Sequence, residues 1–177
     1  MIRIAQFVLF VTLLVLRTTS AGTPVLGYEV GVATQGQVKA ALEKKTKVSE
    51  VGTNEYSRGP MLRTDGSAYE FEGLNEVTFI FDDQKKLAGV LMMMSKFKFD
   101  TVFQALSKKY KVASHQRPLV GNQFARFNTP DTVIEHIAPH LSFDMNENYI
   151  RSDLMKKFLA QSTADAESKK KREAENF

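Results

Sequence analysis

Val38-Lys-Ala-Ala-Leu-Glu-Lys-Lys-Thr-Lys-Val48 and Val102-Phe-Gln-Ala-Leu-Ser-Lys-Lys-Tyr-Lys-Val112 agree at seven of eleven positions, 64 residues apart. A near-copy of this length at a fixed offset marks one supersecondary unit used twice. Carried downstream, the same offset sets Val77, Thr78 and Phe79 against Leu141, Ser142 and Phe143. In the first copy Thr34-Gln-Gly-Gln37 has the form of a capping box, with Thr34 as N-cap and Gln37 three residues on. Val38, Ala41 and Leu42 then share one face of a helix running to about Thr46. In the second copy Asp100 is the expected N-cap, and Phe103, Leu106 and Tyr110 follow at helical spacing. Both helices end in a lysine-rich turn, which suits the negative end of the helix dipole.

Behind the helices the period changes to two. Val77, Phe79 and Phe81 alternate with Thr78, Ile80 and Asp82, and Asp83-Gln84-Lys85-Lys86 turns the chain into Leu87 to Ser95. Residues 76–95 therefore read as a hairpin. In the second copy Leu141, Phe143, Met145 and Tyr149 alternate with Ser142, Asp144, Asn146 and Asn148, the pattern of a half-buried antiparallel strand. Weaker strand signals lie near 27–32, 67–72, 112–117, 122–128 and 132–138, with turns at Gly59-Pro60, Asp65-Gly66 and Thr129-Pro130. Residues 53–59 read as an exposed loop.

The expected fold is α+β: an antiparallel sheet with helices on one face, built from two helix-plus-meander pseudo-repeats at about 34–95 and 100–150. Phe79, Phe81, Leu106, Phe143 and Met145 are expected between the layers. A charge at Phe79 or at Phe143 is then expected to unfold the domain.

The ends have their own composition. Residues 1–21 have the form of a signal peptide: Arg3, an apolar run from Ile4 to Leu16, then Thr19-Ser20-Ala21 before Gly22. The run is shorter than the roughly 20 residues a membrane-spanning helix needs, so no transmembrane anchor is expected after cleavage. A single domain over 22–151 follows, then a C-terminal helix and a charged, partly disordered tail over 152–177. Ser152 is placed to cap that helix, with Leu154, Met155, Phe158 and Leu159 on one side and Lys169-Lys-Lys-Arg172 near its end.

Charge and cysteine content narrow the function. The chain of 177 residues has 24 basic and 20 acidic residues; Arg3 and Arg17 fall in the signal, which leaves 22 basic. So even a balance is not the footprint of a nucleic-acid binder. There is no cysteine, so an exported form holds its fold without disulfides. With no Asn-x-Ser/Thr site either, these features fit the bacterial periplasm, with an extracellular location as the alternative.

No local motif for nucleophilic catalysis and no phosphate-cradling glycine loop occurs in the sequence, and no cofactor is expected. Glu135, His136 and His140 are the candidate metal ligands. The two histidines have the i, i+4 spacing of a helical metal pair, but Pro139 and the flanking alternation argue for a strand, along which four residues span about 13 Å. A third ligand would have to come from Asp144 or Glu147. Met92-Met93-Met94 offers thioether sulfur, yet neighbours on a strand point to opposite faces and cannot share one ion. The Met92 and Met94 face is the more plausible docking surface. Asp82-Asp83 reads as turn chemistry, and Gly27 and Gly31 as sites of close backbone packing.

Thr34-x-x-Gln-Val38-x-x-x-Leu42, followed by a hairpin through Phe81-Asp-Asp-Gln-Lys-Lys-Leu87, resembles the unit of small exported bacterial α/β repeat domains. These are the outer-membrane assembly small-lipoprotein family and the β-lactamase-inhibitor-like repeat proteins. The likeness covers 34–94 and, in tandem, 100–150. The lipidated cysteine of the lipoprotein family is missing. The resemblance implies a non-catalytic protein that works by binding another exported or envelope protein. A small-ligand or metal-binding periplasmic protein, with its site near Glu135, His136 and His140, is the second expectation. An enzyme of unrecognised type is the third.

Overall fold

A computed structural model describes residues 22–175, so the signal segment expected over residues 1–21 lies outside the described residues. The chain opens with a small hairpin, β1 (Pro24–Val25) and β2 (Tyr28–Glu29), followed by helix α1 (Gln35–Leu42). Four strands come next: β3 (Val48–Thr53), β4 (Arg58–Asp65), β5 (Leu74–Asp82) and β6 (Leu87–Ser95). Helix α2 (Phe99–Lys109) leads into β7 (Lys111–Gln116), β8 (Gln123–Asn128), β9 (Thr132–Ala138) and β10 (Asp144–Arg151), and α3 (Ser152–Ala174) closes the described chain. The eight long strands make one antiparallel sheet in the order β3-β4-β5-β6-β10-β9-β8-β7. This is the expected α+β architecture. The last strands of the two meanders, β6 and β10, form its centre.

The local signals act largely as read. Thr34 Oγ1 accepts from Gln37 N–H at 3.3 Å, and Gln37 Oε1 accepts from Thr34 N–H at 3.0 Å, which completes the capping box. The Asp82 carboxylate accepts from the N–H groups of Gln84 and Lys86, fixing the β5–β6 turn. Its other oxygen meets Arg151, whose guanidinium also makes a two-pronged pair with Asp153. One side chain thus joins the β5–β6 turn to the start of α3.

A row of partners crosses the sheet: Leu62, Phe79, Val90, Tyr149, Ile134, Phe127 and Val112, each paired with the next. All but Val112 are buried in one cluster with Val38, Leu42, Phe99, Val102 and Leu106. So α1 and α2 cover one face, because strand parity puts every second residue there. The opposite face carries a smaller cluster of Ile80, Ala88 and Leu154 with Met61, Leu91 and Ile150 against it. There the first turn of α3 docks. From Lys156 onward every described residue of α3 is exposed, although the Phe158 ring still meets Tyr56 edge-on at 5.4 Å between centroids.

The structure corrects several readings. Phe143 is 83 % exposed and precedes β10, whose ladder with β6 begins at Asp144 opposite Ser95. The third strand after α2 is β9, and there Ile134 takes the place in the row that mirrors Phe79. The offset therefore falls from 64 in the helices to 55 between Phe79 and Ile134, because the connecting segments differ in length. Asp100 is not the cap of α2. A 3₁₀ turn over Lys96–Lys98 leads in, and Asp100 lies in the first helical turn, paired with Arg117. Residues 53–59 are the tight turn of the β3–β4 hairpin, where the Asn54 side chain accepts from the N–H groups of Tyr56 and Ser57. A 3₁₀ turn over Gly66–Ala68 replaces the strand expected near 67–72.

Gly27 and Gly31 have φ near +85°, which glycine tolerates and other residues resist. A turn conformation, not close packing, requires Gly27, since nothing lies within 4 Å of its missing Cβ. Both edge strands, β3 and β7, have irregular registers against their neighbours. Such breaks blunt an open edge against pairing with another chain.

Candidate functional site

The residues proposed as metal ligands are not brought together. His136 is fully buried on the helix-covered face of β9. Glu135, its neighbour on the strand, points to the other face and pairs with Arg126. His140 lies in the β9–β10 connection, where its Nδ1 accepts from the Gly121 N–H at 3.2 Å. Among the described residues no three His, Cys, Asp or Glu side chains are placed to hold a metal ion. The methionine reading is reversed as well: Met92 and Met94 are buried in the core, and Met93 is the exposed one. Strand parity fixes that outcome, since Met92 and Met94 share the face of Val90.

What His136 does meet is Glu147. Its Nδ1 lies 2.5 Å from Glu147 Oε2, and its Nε2 lies 3.0 Å from the Phe99 carbonyl oxygen. Both side chains are buried. A carbonyl oxygen has no hydrogen, so Nε2 must donate. One proton then has to lie between Nδ1 and Oε2, either on the imidazole or on the carboxyl. The pair is neutral in either form, which is how a charge-capable pair survives in the core. Burial pushes the Glu147 carboxyl above the usual carboxylate range, and the hydrogen bond from His136 opposes that rise. The ring of Phe99 lies over His136 at 4.1 Å between centroids.

The second oxygen, Glu147 Oε1, has no hydrogen-bond partner among the described residues. Glu147 also lines a cavity of about 310 Å³ between α2, the first hairpin and the centre of the sheet. The rest of the lining is mainly apolar, with Val25, Leu26, Met92, Met94, Val102 and Leu106 among it. The sequence held a signal for this site. Glu147 has the parity of Met145 and Tyr149, and His136 that of Ile134 and Ala138, so both occupy inward positions.

A different feature crowns the end of the sheet near α2. Phe97, Leu119, Val120, Leu141 and Phe143 are each at least 75 % exposed. They come from three connections: β6 to α2, β7 to β8, and β9 to β10. Polar contacts hold these connections side by side. Lys96 N–H donates to the Phe143 carbonyl, and Lys96 Nζ donates to the carbonyls of Pro139 and His140. Asn122 Oδ1 accepts from His140 N–H at 2.8 Å. The backbone of the tip is therefore tied down while its apolar side chains face water.

Comparison with protein-family models, with curated proteins and with solved structures returned no match. Among the described residues no helix is long and apolar enough to cross a membrane.

Proposed function

We propose that this chain is an exported, non-enzymatic binding protein that docks on another envelope protein through the apolar tip. The observation that carries the reading is the set of five large apolar side chains exposed together at Phe97, Leu119, Val120, Leu141 and Phe143. Single exposed apolar residues are ordinary, but five on connections that polar contacts tie side by side offer an interaction surface. Charge at the tip favours a protein over a lipid surface. Lys98 is paired with Glu72 and Arg117 with Asp100, and Lys96 is turned onto two carbonyls. Among the described residues that leaves no free basic collar to hold anionic headgroups. Export rests on the signal-like residues 1–21, and the periplasm is the compartment this reading favours.

The test places a photoreactive amino acid at Leu119, at Phe143 and, as control, at Lys170 on the exposed length of α3, in the producing cell. A discrete adduct with one protein from the two tip positions alone supports the proposal. Equal labelling from Lys170, adducts only with lipid or with a second copy, or no adduct at the tip overturns it.

A further inference from the structure

The cavity under α2 is rimmed by one stripe of that helix. Thr101, Ala105 and Lys109 follow at i, i+4 and i+8, and all three are exposed. At 1.5 Å per residue the stripe runs about 12 Å. Beneath it Val102 and Leu106 of the same helix, with Met92 and Met94 of β6, are buried and form an apolar wall. We infer that this cavity binds a single-chain carboxylate amphiphile, with its headgroup at Lys109 and its chain beneath α2. The site is distinct from the docking tip and stands independently of it.

The charge of the lining selects the headgroup. Among the described residues that line the cavity, Lys109, Glu147 and Tyr149 can ionise. Glu147 is taken up by His136: the two share one proton and carry no net charge, and Oε1 is sealed from solvent. Tyr149 stays a neutral phenol, because burial pushes its pKa far above the ordinary range and Glu147 and Tyr110 add to the rise. Lys109 therefore supplies the net charge of the lining. Its ammonium has no ion-pair partner among the described residues. It lies 5.1 Å from the centre of the Tyr110 ring, which steadies it at that end of the rim. Thr101, about two turns away, offers a neutral hydroxyl. A carboxylate gains a charge-assisted bond at Lys109, an alcohol only a neutral one, and an ammonium meets its own sign. Lys109 ends α2, where the helix dipole alone disfavours an anion, so the preference rests on the lysine.

Size selects the body. An apolar cavity of roughly 150 Å³ takes up benzene. The volume here, about 310 Å³, therefore suits one chain of about eight to twelve carbons. Phe71, also on the lining, keeps part of its ring in water, and a bound chain covers that apolar surface.

The experiment titrates the purified protein, labelled with ¹³C at its methionine methyl groups, at pH 7 and low ionic strength, where an exposed charge is least screened. The probes are octanoate, 1-octanol and octylammonium, each below its micelle concentration. Octanoate should shift the Met92 and Met94 signals saturably and bind about fivefold more tightly than octylammonium, with 1-octanol between them. Lys109→Glu should reverse the order of the two ions. Lys108→Glu makes the same charge change on an exposed residue that does not line the cavity, and should preserve the order. Ala105→Phe, which fills the rim, should abolish the response to all three probes. No saturable shift, 1-octanol or octylammonium binding as tightly as octanoate, or a response that survives Ala105→Phe overturns the inference. So does an order unchanged in Lys109→Glu or reversed in Lys108→Glu.

Discussion

Phe79 and Phe143 stand 64 residues apart at matching places in the sequence, yet the structure gives them opposite fates. Phe79 is wholly buried in the seven-residue row, with its ring edge-on to Tyr28 at 5.6 Å between centroids. Replacing it with alanine removes most of a phenyl group from a packed interior. The expected cost is about 3–5 kcal/mol, the sum of lost transfer energy and the cavity left behind. That is a large share of the roughly 5–15 kcal/mol that holds a domain together. Phe143→Ala removes a ring that already faces water; only its carbonyl is used, by Lys96 N–H, and alanine keeps that group. Its cost should stay within about 0.5 kcal/mol. Urea unfolding followed by circular dichroism reads both. With a slope of about 2 kcal/mol/M, Phe79→Ala should lower the midpoint by about 1.5–2.5 M, and Phe143→Ala should move it by less than about 0.3 M. A loss above about 2 kcal/mol in Phe143→Ala, or below about 1 kcal/mol in Phe79→Ala, would refute the placement of the two residues. The same pair tests the sequence expectation of equal burial, which predicts that a charge at either position unfolds the protein.

Thr34→Ala should cost about 1 kcal/mol and speed amide exchange at Gln37, because the Thr34 hydroxyl accepts that N–H while alanine keeps only the backbone half of the capping box. His136→Leu should cost about 3–5 kcal/mol in thermal or urea unfolding, since among the described residues it strips Glu147 Oε2 of its one partner while Oε1 already lacks one. The pH dependence of Glu147 has a definite sign. Burial raises its pKa in the fold, so its contribution to stability is fully present below the unfolded value of about 4.3 and is lost as pH rises through the higher folded value. Glu147→Gln cannot ionise, so its stability relative to the parent should grow across that window, by up to about 1.4 kcal/mol per pH unit; a flat difference in paired urea melts from pH 4 to 8 would contradict this.

Much of the architecture was legible because it rests on local rules. The Thr34–Gln37 capping box, the turn through Asp82 and the alternation over Val77, Phe79 and Phe81 each depend on residues within a few positions of one another. Their hydrogen bonds and parity follow from backbone geometry alone. Local reading failed where a segment has weak alternation or where loop length matters. Val48–Thr53 and Arg58–Asp65 pair as strands because Leu62 and Thr64 meet β5, a contact that the sequence of 48–65 does not announce. Asp100 looks like a cap by residue type, but the preceding 3₁₀ turn moves the N-cap two residues earlier, to Lys98.

The candidate sites divide along the same line. Residue types alone pointed to Glu135, His136 and His140, which are close in sequence. Strand geometry separates them, since Glu135 and His136 face opposite sides and His140 lies beyond the strand end. The partner of His136 is Glu147, eleven residues on. They meet because β9 and β10 are antiparallel neighbours in a register that sets these two residues opposite each other. The apolar tip arises the same way, from three connections distant in sequence that end at one edge of the sheet. Sequence by itself determined the α+β class, the two helix faces and the hairpin over residues 76–95. Only the tertiary structure decided that β10 lies beside β6, that His136 and Glu147 share a proton under α2, and that Phe143 faces water. Side-chain parity is a property of each strand alone, whereas strand order and register are set by the burial of all eight strands together.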